Sequence, residues 1–470
     1  MTAQARKGQS EEPPATQGKD RQAAEQPVSW LELFFDLVFV TAFDRLAQRL
    51  LTRPDLPTFG VFLLMFVALW WAWLGNTNFA ARYGNTCRSY RWGTLAQMLT
   101  LAALAVSVRG DLADVGAFFA LAYAANRTIL VVAVLFRGWE EGHLAPGDRT
   151  LALGFMSGAA LWVASAWLSG PAQLLLWGVA LALDLACVLY TEARYNRETP
   201  HRGHFPERLG LLLIVFLGAV VTELIRGAAE QRLRPADQLP AVLAFLTIMA
   251  IWRLYFDEAH TLPALLAERR GRVGTLLAWS YTHLPLMLAL SVLSVGFGLG
   301  IAEQGAEADR HERLLVSSAL AVTFVSLTLL RFFSVRPLNA GTTTPSRLRP
   351  ALSLSSVARL TGAALVLPLI AVPVSTPGYQ AACAVITLGV AYLSWRDPVR
   401  AALNQLEERL TDEAGPDDER GAAPKETTPK SAASKGTGSG PDDAVLDDAA
   451  LNDLLSAVDG DEKPGRPGGS

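Results

Sequence analysis

Apolar runs of roughly 17–23 residues recur along almost the whole chain, each long enough to cross about 30 Å of hydrocarbon as a helix. No other feature constrains the fold as strongly. A backbone inside lipid must satisfy its own hydrogen bonds, and a helix does so within one segment. A soluble helical bundle would instead carry polar stripes at a period of about 3.6 residues. Segments 61–75, 95–108, 151–168 and 207–225 carry almost none. Composition alone does not decide the matter: 51% of residues are hydrophobic, 18% are charged, and the mean hydropathy is +0.26. The distribution does. Trp, Tyr and Arg gather at the ends of the runs, as expected where a helix meets lipid headgroups.

The pattern predicts an all-α, polytopic transmembrane helical bundle of about twelve spans. They fall near 30–50, 58–76, 92–108, 115–136, 150–168, 171–192, 207–226, 239–259, 273–301, 313–333, 353–374 and 379–395. The ninth is long enough to tilt or break, and Pro285 within it favours a kink. With the N-terminus inside, the inner loops carry about fourteen Arg against about six outside, which places both termini in the cytoplasm of a plasma-membrane protein. Residues 1–27 are polar and of mixed charge, so they read as a disordered segment without a secretory signal.

Three ordered similarities predict an internal repeat. Glu32 opens LELFFDLVFV and Glu207 opens ERLGLLLIVF. ALWWAWLGNTNF (68–79) compares with AIWRLYFDEA (250–259), and GTLAQMLTLAALAVSV with GTLLAWSYTHLPLMLALSV. Six-span repeats over 28–206 and 207–397 would lie parallel, related by an axis along the membrane normal. Residues 398–470 then hold an amphipathic segment, DPVRAALNQLEERL, and a disordered tail with roughly fourteen acids against about six bases. Within the tail, Leu451, Leu454, Leu455 and Val458 share one helical face, which is a candidate docking peptide for a cytoplasmic partner, although a patch this small is more often without a role.

Charges within apolar runs are the candidate functional groups. A charge near the bilayer centre costs about 2.5–3.5 kcal/mol on insertion scales and therefore turns inward to a partner. Glu32 and Asp36 lie one turn apart at the cytoplasmic start of the first span, and Asp44 is about 18 Å beyond Glu32. Arg127 and Asp184 reach the midplane. Arg253 and Asp257 close the eighth span from inside, Glu207 opens the seventh, and His283 lies within the ninth. Each also has a plainer reading. Glu32, Glu207, Arg208 and Arg359 can flank spans and reach water, Arg331 reads as an interface anchor, and Arg127–Asp184 as a structural ion pair. His283, alone on an apolar helix, reads more readily as a hydrogen-bonded packing residue than as a ligand. Asp36, ringed by Phe34, Phe35, Leu37 and Val38, is the hardest to explain structurally.

HRGHFPER spaces His201, His204 and Glu207 three residues apart, but this is no HExxH motif and Pro206 marks a helix start. No metal or cofactor is expected. Cys87, Cys187 and Cys383 are too dispersed for a disulfide framework. There is no Walker loop, dinucleotide fingerprint, nucleophile elbow or CxxC pair, and nothing points to nucleic acid.

ELFFDLVFV at 32–40, HFPERLGLLLIVFLG at 204–218, WRLYFD at 252–257 and YTH at 281–283 together resemble the bacterial low temperature requirement A family. The resemblance covers roughly 28–395 and leaves out both tails. It implies a polytopic inner-membrane protein and little about activity. The family usually has LGE after the HFxER helix begins, whereas this chain has LGA, with Ala219 at the acidic position. Asp44 follows Glu32 by the same twelve residues that separate Ala219 from Glu207, and could hold the equivalent place in the other half.

The leading expectation is a proton-linked transporter or ion pathway for a small solute or ion. Glu32 and Asp36 would form the cytoplasmic intake, with Glu207 as repeat mate and His283 as a relay. Two alternatives stand beside it: a membrane-embedded enzyme acting on a lipid-borne substrate, and a non-catalytic membrane sensor or scaffold whose acidic tail binds a partner. The enzyme would need acid–base groups near the headgroups. The scaffold would pair off every buried charge.

Overall fold

The computed structural model describes residues 28–53, 55–108, 112–195, 204–229, 234–258, 262–265, 273–302, 307–335 and 353–413. Of the segments expected to be disordered, 1–27 and 414–470 lie outside the described residues, as do His201 and the tail face from Leu451 to Val458, whereas 411–413 are helical. Among the described residues the chain is helical, with no strand. The long helices are α1 (Trp30–Thr52), α2 (Leu56–Tyr83), α3 (Arg88–Ser107), α4 (Leu112–Glu140), α5 (Pro146–Ser165) and α6 (Gly170–Tyr195). They continue with α7 (His204–Ala229), α8 (Pro235–Phe256), α9 (Val273–Ala302), α10 (Arg310–Val335), α11 (Leu354–Val366), α12 (Thr376–Trp395) and α13 (Pro398–Glu413).

Each expected run coincides with one of the first twelve helices. Seven of these, α2, α4 and α6 to α10, are long and apolar enough to cross a membrane. For two of the other five the cause is visible. α1 carries Glu32, Asp36, Asp44, Arg45 and Arg49, which lower its apolar content. α11 spans only 13 residues before a 3-10 turn, Leu367–Ile370. Pro368 there has no amide hydrogen for a helical ladder, so the eleventh run stops short. The ninth run, long enough to tilt or break, forms one continuous helix through Pro285.

Local chemistry sets the helix ends. Ser29 caps α1 in a capping box with Glu32, and Asp55 caps α2 by accepting from the Thr58 amide at 2.8 Å. Gly84 ends α2 at φ 85°, a left-handed conformation that favours glycine. Successive helices alternate in direction. The starts of α1 and α7 therefore share one end, here called proximal, with the ends of α2, α8, α10 and α12.

α1 packs against α2, α3, α7 and α9, while α9 is wedged between α7 and α10. Phe43, Phe66 and Phe216 bring α1, α2 and α7 together, with Phe43–Phe216 ring centres 5.0 Å apart. The surface is the inverse of a soluble protein. Leu99, Leu153, Leu175 and Val385 are exposed, and Trp30, Trp92, Trp139 and Trp167 are exposed near helix ends. An apolar belt bordered by indoles fits a multi-pass membrane protein.

Candidate functional site

Glu32 and Asp36, four residues apart, share the inward face of α1, and His204 and Arg208 share that of α7. All four are fully buried. Arg208 Nη2 donates to Asp36 Oδ1 at 2.5 Å, and its Nη1 to Glu32 Oε1 at 3.3 Å. His204 Nε2 lies 2.8 Å from that same Glu32 oxygen. The other Glu32 oxygen accepts from Ser29 N at 2.7 Å and Asn85 Nδ2 at 2.9 Å, so the helix cap and the loop after α2 both fix it. Trp73 Nε1 donates to Asp36 Oδ1 at 2.7 Å, and the Arg208 guanidinium lies 5.3 Å from the Trp73 ring centre. Asp36 Oδ2 and His204 Nδ1 meet no hydrogen-bond partner among the described residues.

From this cluster a chain of amides leads inward. Arg208 Nη1 reaches Asn76 Oδ1 at 3.4 Å, and Asn76 Nδ2 donates to Gln97 Oε1 at 2.9 Å. Gln97 Nε2 approaches Asn126 Oδ1 at 3.4 Å, and Asn126 Nδ2 donates to Thr100 Oγ1 at 2.7 Å. Next to Asn126, Arg127 pairs with Asp184 at 3.1 Å, both almost wholly buried, and its guanidinium lies 4.1 Å from the Phe155 ring centre. Gly158 makes room for this pair, since a Cβ there would sit 2.5 Å from Asp184 Oδ1. Phe155 and Gly75 also line a cavity of about 110 Å³ whose polar groups include Arg82, Asp148 and Glu192.

A second proximal cluster is built differently. Arg331 Nη1 lies 2.9 Å from Glu258, and its Nη2 2.7 Å from Asp397. Arg359 Nη2 reaches Glu258 at 2.5 Å, and its Nη1 donates to the Leu327 carbonyl at 3.0 Å. Two acids thus face two guanidiniums, and the charges cancel. The Asp257 carbonyl accepts from Asn404 at 3.1 Å and Arg400 at 3.4 Å, which holds α13 against the same end.

The other candidates are scattered. Glu207 is exposed, because one residue of helix rotation turns it outward and Arg208 inward. Asp44 is half-buried and accepts from Gln48 at 2.8 Å. Arg253 is exposed and pairs with Asp257 on its own helix at 3.0 Å. His283 is fully buried, with Nδ1 3.1 Å from the Trp279 carbonyl and Nε2 3.0 Å from the Tyr255 hydroxyl. A carbonyl can only accept, so Nδ1 carries a proton and donates to it. Arg208, Arg331 and Arg359, read from sequence as flanking or interface groups, are instead buried at the centres of the two ionic clusters. Their signal was the rarity of Arg within or at the edge of an apolar run.

Among the described residues no group of three His, Cys, Asp or Glu is placed to hold a metal ion. His204, the described histidine of the HRGHFPER stretch, turns its Nε2 toward Glu32.

An uncharacterized protein of Rhizobium meliloti is 24% identical over 291 residues, covering 58% of this chain and 69% of the relative. No solved structure matches the chain. The family model for the bacterial low temperature requirement A protein matches residues 27–392, which include both ionic clusters except Asp397 and the whole path from Glu32 to Asp184. The chain belongs to the bacterial low temperature requirement A family.

Proposed function

We propose that this protein is a proton-linked transporter or ion pathway, with Glu32, Asp36, His204 and Arg208 as its proton-binding station. One observation carries the reading: two fully buried carboxylates share a single guanidinium and an imidazole. Without a proton on the His204–Glu32 pair the cluster carries one net negative charge, and burying an uncompensated charge costs several kcal/mol by order of magnitude. The cluster is neutral when it holds one exchangeable proton. The amide chain toward Asn126 and the Arg127–Asp184 pair supply a polar route from this station into the bundle.

The reading includes about twelve spans in two parallel repeats, with both termini in the cytoplasm of an inner-membrane protein. The order of neighbours supports the repeat. α1 packs on α2 and α3 as α7 packs on α8 and α9, and α3–α4, α4–α5 and α5–α6 recur as α9–α10, α10–α11 and α11–α12.

A direct test is flux in proteoliposomes carrying an internal pH dye. Wild-type protein under an imposed pH or cation gradient should move protons or ions, while Asp36→Asn and Glu32→Gln should lose at least about tenfold of that flux and remain folded. Wild-type vesicles no more permeable than empty ones under every gradient would sink the reading.

The second cluster favours a sensor or scaffold as an alternative. Its charges cancel, and it shares the proximal end with α13, the last described helix before the acidic tail. Specific capture of a cytoplasmic protein by the tail, with no flux, would favour that reading.

A further inference from the structure

At the distal end of the bundle, Glu312 is fully buried in the first turn of α10. Among the described residues, every other buried carboxylate lies within ion-pair distance of a guanidinium: Glu32, Asp36, Asp148, Asp184, Glu223 and Asp397. Glu312 has no cation within such reach among the described residues. Its neighbour Arg313 turns instead to Glu307, at 2.9 Å. The partner that Glu312 does have is neutral: Gln380 Nε2, from α12, donates to Oε1 at 2.6 Å.

Three further buried polar atoms here lack partners among the described residues: Glu312 Oε2, Gln380 Oε1 and Thr376 Oγ1. As a carboxylate, Glu312 can only accept, so Oε2 and the Gln380 carbonyl oxygen cannot satisfy one another. A proton on Oε2 changes that. The carboxyl becomes a donor, the amide already offers both a donor and an acceptor, and the two groups can close a two-edged acid–amide pair. The surroundings favour the neutral form. Asp309 already places its carboxylate on the amides at the α10 start, at 2.5 Å from His311 N, so the helix end does not call for a second negative charge. α9 presents Gly300, where an added Cβ would overlap the Glu312 carboxylate, so the helix packs directly on the acid. The titratable and charged groups around it are Arg310, His311 and Arg313 on α10, Glu307 and Asp309 just before it, and Tyr379 and Cys383 on α12; Tyr379 is engaged with Ser317 and the Arg313 carbonyl. α9 contributes none among the described residues.

We infer that Glu312 and Gln380 form a proton-binding site at the distal end of the bundle. Glu312 Oε2 takes a proton from the distal solution and donates it to the Gln380 carbonyl oxygen, and returns the same proton when the pair opens. Thr376 Oγ1, one helical turn before Gln380, is the hydroxyl closest in register to pass it. The role of the site as the distal port of a pathway rests on the function proposed above; proton binding does not.

The test is infrared difference spectroscopy on the full chain in lipid vesicles, stepping pH. Wild-type protein should show a carboxylic-acid carbonyl band that titrates as one group, and Glu312→Gln should lose it. Gln380→Leu keeps the acid but removes its partner, so the band should persist and move to higher frequency. This second variant keeps the test open if Glu312→Gln does not fold. A carboxylate at every pH, a band unmoved by Gln380→Leu, or a band abolished by sodium or potassium at constant pH would each overturn the inference; the last would make the ligand a metal cation. A titrating band in protein that carries no flux would leave the site standing and remove the transport reading.

Discussion

The acids on α1 were legible in the sequence, but their cation was not. Glu207 and Arg208 are adjacent at the start of an apolar run, and a helix turns by about 100° per residue, so both cannot point inward. Packing against α1 decides for Arg208, which then bridges Glu32 and Asp36. That placement makes a sharp prediction. Arg208→Leu leaves two buried carboxylates without their guanidinium and should lower unfolding free energy by about 3–5 kcal/mol, whereas a mere flanking residue would change it by about 0.5 kcal/mol or less. Reversible unfolding in mixed micelles measures it. Arg208→Lys should recover only part of the loss, because one ammonium cannot reproduce the two-pronged contact. Arg331 and Arg359 teach the same lesson. A lone Arg near a span end can snorkel or turn inward, and only the partner across the bundle, here Glu258, distinguishes the two.

At the scale of elements, hydropathy located the helices well, because a run of apolar residues in lipid has few alternatives to a helix. It was weaker on which runs would be long, apolar spans. α1 falls short because its charges face a polar interior, and α11 because Pro368 ends its ladder. Helix caps carry their own prediction. Asp55 accepts from the Thr58 backbone amide, and this hydrogen bond holds its carboxyl below the usual aspartate range. A group depressed in the folded state stabilises fully above its unfolded pKa and loses that contribution as pH falls through the folded value. The thermal midpoint of wild-type protein should therefore fall on acidification through that window. Asp55→Ala should start lower and lack this part of the pH dependence, a difference that melting curves across the acid range will register.

For the whole molecule, the proximal end gathers both ionic clusters and α13, while the distal end holds Glu312 with Gln380. The basic-loop count predicts a cytoplasmic proximal end. In a cysteine-free background, Ser169→Cys, in the loop between α5 and α6, should react with an impermeant thiol reagent in intact cells. His143→Cys, between α4 and α5, should react only after permeabilisation; the opposite pattern would invert the orientation. The sequence by itself determined the solvent: its apolar runs commit the chain to helices in a membrane, and its family motifs mark where the charges lie. Only the tertiary structure decided which charges meet. Depth along a helix can be read from residue number, since each residue adds a fixed rise. Partnership depends on rotation and on which helices pack together, and the contacts that set it, such as Glu32 with Arg208, join residues 176 positions apart.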